Sequence, residues 1–210
     1  MRSAVITLAL FLLASPARAL PIFSEYIEGS GQNQAVEIFN PDPSALSLSG
    51  WTLELYRNGA SAPSQLFALA GSIAAGDVFV VARSGADPAV LAVADMTFNQ
   101  LNFNGDDALV LANAGTPVDR IGRVGEDPGQ EWGSGLTSTQ NNTLQRDMAT
   151  AVPNSDPTAP FDPALEWTGS PADTFADLGA PPAIPVPEPS PHSMLLGLLL
   201  ALAACYQCRR

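Results

Sequence analysis

Trp51-Thr52-Leu53-Glu54-Leu55 is the stretch that decides the fold. Apolar and polar residues alternate across it with the two-residue period of a half-buried β-strand, and the 3.6-residue period of a helix does not fit. Upstream, Val36-Glu37-Ile38 repeats the alternation, and Ile22 to Ile27 reads as a first strand. Downstream, Val78-Phe79-Val80-Val81 and Leu109-Val110-Leu111 are continuous apolar runs of the kind that form inner strands. Val118 to Val124 and Thr143 to Arg146 are further strand candidates. Asn58-Gly59 and Asn104-Gly105 are hairpin-type turn signals, with Ala114-Gly115 a third, and Pro41-Asp42-Pro43 and Gly71 mark other breaks. Short strands with turns about every dozen residues predict an all-β, immunoglobulin-like sandwich. The middle of the chain lacks the Cys-Trp-Cys pattern of antibody domains, so this sandwich is expected to be free of disulfides.

The 210 residues divide into four parts. Residues 1–19 read as a signal peptide, 20–179 as the sandwich, 180–192 as a proline-rich linker, and 193–210 as an apolar helix with a basic tail. In the signal segment Arg2 supplies the positive start, Ala4 to Ala14 the apolar stretch, and Ala17 and Ala19 the small residues before a cleavage that leaves Leu20 first. That apolar stretch is too short for a transmembrane anchor. At the other end six prolines between Pro181 and Pro191 predict an extended, semi-rigid spacer. The apolar run Met194 to Tyr206 follows, and Arg209-Arg210 would hold the terminus on the cytoplasmic side of a membrane.

Formal net charge is −12, with no lysine, and Arg2, Arg18, Arg209 and Arg210 all lie in the terminal segments. The acidity supports solubility, and such a surface gains nothing from counterion release on DNA or RNA, so no nucleic-acid partner is expected. The single histidine, His192, and both cysteines, Cys205 and Cys208, lie in the tail. The sandwich therefore has no Ser-His-Asp or Cys-His chemistry and no imidazole or thiolate for zinc. Cys205 and Cys208 form a CxxC, but one beside a membrane segment, without the βαβ context of a redox motif.

Two resemblances follow from these residues. Val186-Pro187-Glu188-Pro189, the apolar run from Met194, and Arg209-Arg210 together resemble the PEP-CTERM sorting signal read by exosortases in Gram-negative bacteria. This resemblance implies signal peptidase and an exosortase-type enzyme as partners, and an inner-membrane intermediate held by the C-terminal helix. It also implies a final place at the cell surface or outside the cell. Phe23 to Gly29, Ala35 to Asn40, Leu48 to Leu53, Ile73 to Val81, Leu101 to Leu111 and Val118 to Gly122 resemble, in order, the lamin tail domain. That family implies an immunoglobulin-like sandwich with a structural or binding role, whose partners here would be extracellular polysaccharide or other surface proteins. It implies no catalytic residues and no cofactor.

Several constellations admit a functional role beside a plainer structural one. Asp-Pro-x-x-Glu-Trp occurs at Asp127 to Trp132 and again at Asp162 to Trp167. In each, Asp is expected to cap a short helical turn opened by Pro, with Trp folding back onto the sheet. The rival reading makes Trp132 and Trp167 platforms for sugar rings in a calcium-assisted carbohydrate-binding module. Asp106, Asp107, Glu126 and Asp127 are the calcium candidates, since hard cations take carboxylate and carbonyl oxygens; turn formation is the commoner use of such residues. Glu25, Glu28 and Glu37 are the residues of a third reading, a hydrolase working through paired carboxylates, but alternating strand positions suggest no cleft for them. Asn141-Asn142-Thr143 fits the N-glycosylation pattern, which a bacterial exosortase substrate gives no reason to use.

The domain from Leu20 to Gly179, purified, is expected to show no nuclease or protease activity, because it has neither histidine nor cysteine and an acidic surface. DNA cleavage that survives exhaustive removal of contaminants would overturn this.

Overall fold

Alternation in the sequence becomes two faces in space in the computed structural model, which describes residues 19–183. The chain forms β1 (Ile22–Glu28), β2 (Gln34–Phe39), β3 (Leu46–Ser47), β4 (Trp51–Tyr56), β5 (Gln65–Ala68), β6 (Ser72–Ile73) and β7 (Val78–Arg83). A short helix α1 (Pro88–Leu91) leads to β8 (Met96–Phe98), β9 (Ala108–Asn113) and β10 (Thr116–Ile121). Last come β11 (Gly133–Ser134), β12 (Thr137–Ser138), β13 (Asn142–Arg146), a 3₁₀ turn at Pro163–Leu165, and β14 (Trp167–Pro171). Of the two main sheets, one has the order β14-β13-β1-β2-β7-β8 and the other β10-β9-β4-β5, while β11 with β12 and β3 with β6 form small two-stranded ladders. Every pairing in them is antiparallel except β7 with β8.

The two sheets pack as a sandwich. Phe23, Tyr26, Val36, Ile38 and Val81 from the larger sheet meet Trp51, Leu53, Leu55, Leu109 and Leu111 from the smaller in one buried cluster. This is the immunoglobulin-like, cysteine-free core expected from Trp51 to Leu55. The continuous apolar runs have a second cause, because the outer face of each sheet is covered as well. Val80 and Ala82 of β7 pack under Val90 of α1 and Leu178. Val110 and Ala112 of β9 pack under Trp132, with Phe161 against the same cluster. A strand buried on both faces needs apolar residues at every position.

Local chemistry explains where the turns fall. Ala114 and Gly115, at φ 48° and 76°, close the tight two-residue hairpin between β9 and β10. Asn58 and Gly59 also take positive φ, but within the longer 57–64 connection between β4 and β5. Asn104-Gly105 makes no hairpin. Asn104 O accepts from the Asp107 N–H (3.1 Å) in a turn that feeds β9, because β8 and β9 belong to different sheets. The absence of helix periodicity is matched by a helix of only four residues, capped by Asp87 accepting from the Ala89 N–H (2.8 Å), with Pro88 at its start.

The two Asp-Pro repeats part company. Asp162 caps the 3₁₀ turn through the Ala164 N–H (3.0 Å), as expected. Asp127 accepts from the Gly129 N–H (2.8 Å), but Gly129 stands at φ 96°, outside the helical region, so no helical turn forms there.

The sheets are joined by a buried ion pair. Asp119 Oδ2 on β10 accepts from Arg146 Nη1 on β13 (2.7 Å), and their side chains are 0% and 3% exposed. The same Oδ2 accepts from the Phe23 N–H (2.8 Å), and Oδ1 from the Asn154 N–H (2.9 Å). Arg146 also donates to Glu166 through Nε and Nη2 and to the carbonyl of Val152, and its guanidinium lies 5.2 Å from the ring centre of Trp167.

Ala19 and Leu20 are exposed at the start of the described chain. The signal segment before them, Ala17 included, and everything from residue 184 lie outside the described residues. That second group includes Pro187, Glu188, Pro189, His192, Cys205, Cys208, Arg209 and Arg210. No helix among the described residues is long and apolar enough to cross a membrane.

Trp51 is 5% exposed in the central cluster. Trp51→Ala is therefore expected to destabilise the domain by about 3 kcal/mol or more. A denaturation midpoint equal to that of the wild type would show that the indole is not core.

Candidate functional site

An irregularity in β1 builds the site. The register of β1 on β2 shifts between Phe23 and Glu25, which places Glu25 directly opposite Glu37 on the outer face of the six-stranded sheet. Gln145 on β13 is the partner of Glu25 on its other side. The chain then returns over this face after β14, and Asp177 and residues 180–183 roof the strands. The result is a cleft of about 320 Å³ lined by Ser24, Glu25, Glu37, Gln145, Asp147 and Asp177 among others.

Hydrogen bonding separates the carboxylates. Glu37 is engaged at both oxygens: Oε1 accepts from the Ser24 hydroxyl (2.6 Å) and Oε2 from the Gly179 N–H (2.7 Å). Asp177 Oδ2 accepts from the Gln145 side-chain amide (2.7 Å). Asp147 accepts from the Ala149 N–H at Oδ1 and the Thr150 hydroxyl at Oδ2. Glu25 is 2% exposed, and its Oε1 is buried with no donor. Burial pushes the Glu25 carboxyl up to about 8, with the charges of Glu37 and Asp177 adding to the effect. Burial also raises Glu37, against the pull of its two hydrogen bonds from Ser24 and Gly179.

Two expectations about these glutamates need correction. The strands do form a cleft, because the 177–183 segment supplies a wall that no strand pattern contains. Glu28 does not share it: Glu28 Oε2 accepts from the Asn141 N–H at the far end of β1, beside the 104–107 turn. A two-carboxylate hydrolase needs an acid and a second carboxyl group free to serve as base or nucleophile. Glu37, held at both oxygens, is not free for that role.

The other candidates are placed as follows. Asp107 is buried and accepts from the N–H groups of Asn58 (3.0 Å) and Asn104 (3.2 Å), pinning two loops; burial raises its carboxyl to about 6, opposed by those hydrogen bonds. Burial also raises the half-buried Asp106 next to it. Glu126 pairs with Arg123, and Asp127 holds the turn at Gly129. Among the described residues no group of three or more His, Cys, Asp or Glu is placed to hold a metal ion. Trp132 and Trp167 are 5% and 6% exposed. Neither is a sugar platform: Trp132 packs edge-on to Phe161, and Trp167 lies beneath Arg146. Sequence reasoning missed Ser24, Gln145 and Asp177. Ser24 reaches the cleft through the register shift beside it and Gln145 through the pairing of β13 with β1, and Asp177 sits in a loop with no periodic signal.

A two-sheet, cysteine-free β-sandwich with one acidic cleft defines an immunoglobulin-like module. The chain belongs to the lamin tail domain family, whose model matches residues 14–125. Lamin tail domains are non-enzymatic immunoglobulin-like modules. No curated protein matches the chain. The match stops short of β13 and β14, which complete the larger sheet and bring Arg146 and Gln145 to the site.

The raised Glu25 makes a pH prediction with a definite sign. The folded state holds this proton more tightly than the unfolded chain, whose carboxyl titrates near 4.5. Its contribution to stability is therefore fully present below about pH 4.5 and lost as pH rises through about 8. Glu25→Gln keeps the neutral form at all pH values, so above about pH 8 the variant should be more stable than wild type by roughly 3 kcal/mol. Thermal melts across the pH range decide it. Glu28, Glu37 and Asp107 slope the same way in both proteins, so parallel curves would show that Glu25 does not titrate as stated.

Proposed function

We propose that this chain is an exported, non-catalytic lamin tail module, sorted to the envelope, cell surface or extracellular matrix by an exosortase, where it serves a structural or binding role. The observation that carries the reading is the ordered tail, Pro187-Glu188-Pro189, then Met194 to Tyr206, then Arg209-Arg210, in a chain with a lamin tail domain and a signal-type start. The non-catalytic part is supported by the family and by the sequence around the site. His192, Cys205 and Cys208 all fall in the tail, and Glu37, the carboxyl group facing Glu25 across the strand pair, is hydrogen-bonded at both oxygens.

The tail suits a transient handle better than a permanent anchor. Thirteen residues from Met194 to Tyr206 span about 20 Å as a helix, against a bilayer core of about 30 Å. Extending the helix would place Pro191, His192 or Gln207 in lipid. Local thinning and snorkelling of Arg209 close part of the gap. Such a segment holds the chain long enough to meet a membrane-embedded protease, and the proline-rich spacer keeps the cleavage site clear of the sandwich. Mature protein from an exosortase-bearing host is expected to begin at Leu20 and end near Pro189. Mass spectrometry of the native protein checks both ends, and an intact Arg210 on the surface-located form would sink the proposal.

A further inference from the structure

The cleft between β1, β13 and the 177–183 segment has a built polarity that the module reading leaves unused. Glu25, Glu37, Asp147 and Asp177 all line it. The one cation on its wall, Arg146, is already committed to Asp119, Glu166 and the carbonyls of Phe23 and Val152. Low-dielectric walls carrying one sign of charge focus the field inward and draw in the opposite sign. Glu25 lines the cleft while almost wholly buried, and its Oε1 has no donor, so the charged carboxylate is short of hydrogen bonds there.

We infer that this cleft binds a protonated primary amine on a small polar molecule, with the ammonium group donating to the Glu25 carboxylate. The chemistry of the wall selects this ligand class. A divalent cation needs several convergent oxygens, and no three acidic residues among those described are placed to supply them. A guanidinium favours a carboxylate presenting two open oxygens to its fork, whereas Glu25 has one oxygen enclosed and Glu37 has both engaged. An ammonium is a compact point charge with three rotatable donors. It reaches the Glu25 carboxylate from one side and turns its other N–H groups toward remaining lone pairs on Asp177 and Glu37. A volume of about 320 Å³ admits a monosaccharide or an amino-acid side chain, not a folded surface.

The titration of Glu25 then becomes a signature of binding. The facing groups are Glu37 from β2, Arg146 from β13, Asp147 just after it, and Asp177 from the roof, and the ammonium adds a positive charge among them. Below about pH 8 the ligand must displace the Glu25 proton, so binding at pH 7 releases protons and tightens about tenfold between pH 7 and pH 9. A lysine-type ammonium, with its pKa of about 10.4, stays charged throughout.

The test is isothermal titration of the native protein with n-butylammonium, using butan-1-ol as the neutral match of the same shape. The amine should saturate with proton release and the alcohol should not bind. Glu25→Gln, which is expected to fold and melts at least as high as wild type if it does, should weaken the amine at least tenfold. A methyl glycoside of glucosamine and Nα-acetyl-lysine amide, compared at pH 7, then separate an amino sugar from a lysine side chain as the source of the ammonium. Equal binding of butan-1-ol, an unchanged affinity in folded Glu25→Gln, or no saturation by any of the three amines would overturn the inference. Failure here leaves the sorting proposal intact, since that is read from the mature termini.

Discussion

Asp119 and Arg146 form the contact on which the rest of the structure depends. β1 leaves β13 near Phe23, so the N–H and C=O of Phe23 lose their strand partner. The Asp119 carboxylate takes the N–H, and the Arg146 guanidinium reaches the carbonyl. The pair thus stands in for the missing strand edge while joining the two sheets. Two charges this deeply buried stabilise little against an apolar replacement of the same shape, but removing one partner strands the other at a cost of about 3–5 kcal/mol. Hydrogen bonds beyond the pair keep it satisfied. Asn154 completes the carboxylate, and Glu166 and Val152 complete the guanidinium. Those partners all lie beyond residue 125, so the second half of the chain belongs to the fold and is not an attachment to it.

The same half supplies most of the covers. A sandwich can leave both outer faces wet, with polar residues alternating along every strand. Here Trp132 and Phe161 close one outer face, and α1 with Leu178 closes much of the other. This explains why β7 and β9 read as unbroken apolar runs while β4 alternates, with Glu54 turned outward to accept from the Tyr56 hydroxyl. It also explains why two tryptophans that could have served as exposed sugar platforms are spent on packing.

How much of this was legible in the sequence follows from period. β1, β2, β4, β7 and β9 could be read because a strand writes its two faces into every second residue. The sandwich followed from their number and spacing. The covers could not be read: a four-residue helix and single residues such as Leu178 carry no period. The turns were legible only as chemistry. Ala114-Gly115 and Asn58-Gly59 both adopt positive φ, yet only the first closes a tight hairpin, because strand ends, not the dipeptide, set the loop length. At the site, Glu25 and Glu37 stood out as acidic residues on strands. Their direct opposition depends on a register shift that nothing in the sequence around Phe23 announces, and their enclosure depends on a loop some 140 residues further on.

Opposing two glutamates on one sheet face is a local conflict, since like charges directly across a strand pair destabilise it. The fold resolves it unequally. Glu37 receives a hydroxyl and a backbone N–H and serves as the anchor for the returning chain at Gly179. Glu25 receives nothing at Oε1 and answers instead by holding its proton to about pH 8. The arrangement persists because the apolar pairs along β1 and β2, Tyr26 with Val36 and Phe23 with Ile38, fix the register irrespective of what the outer face prefers. A slip of one residue would relieve the glutamates and turn that whole apolar set out of the core. Core burial therefore decides the register, and an under-bonded carboxyl in a concave, acidic wall is its consequence.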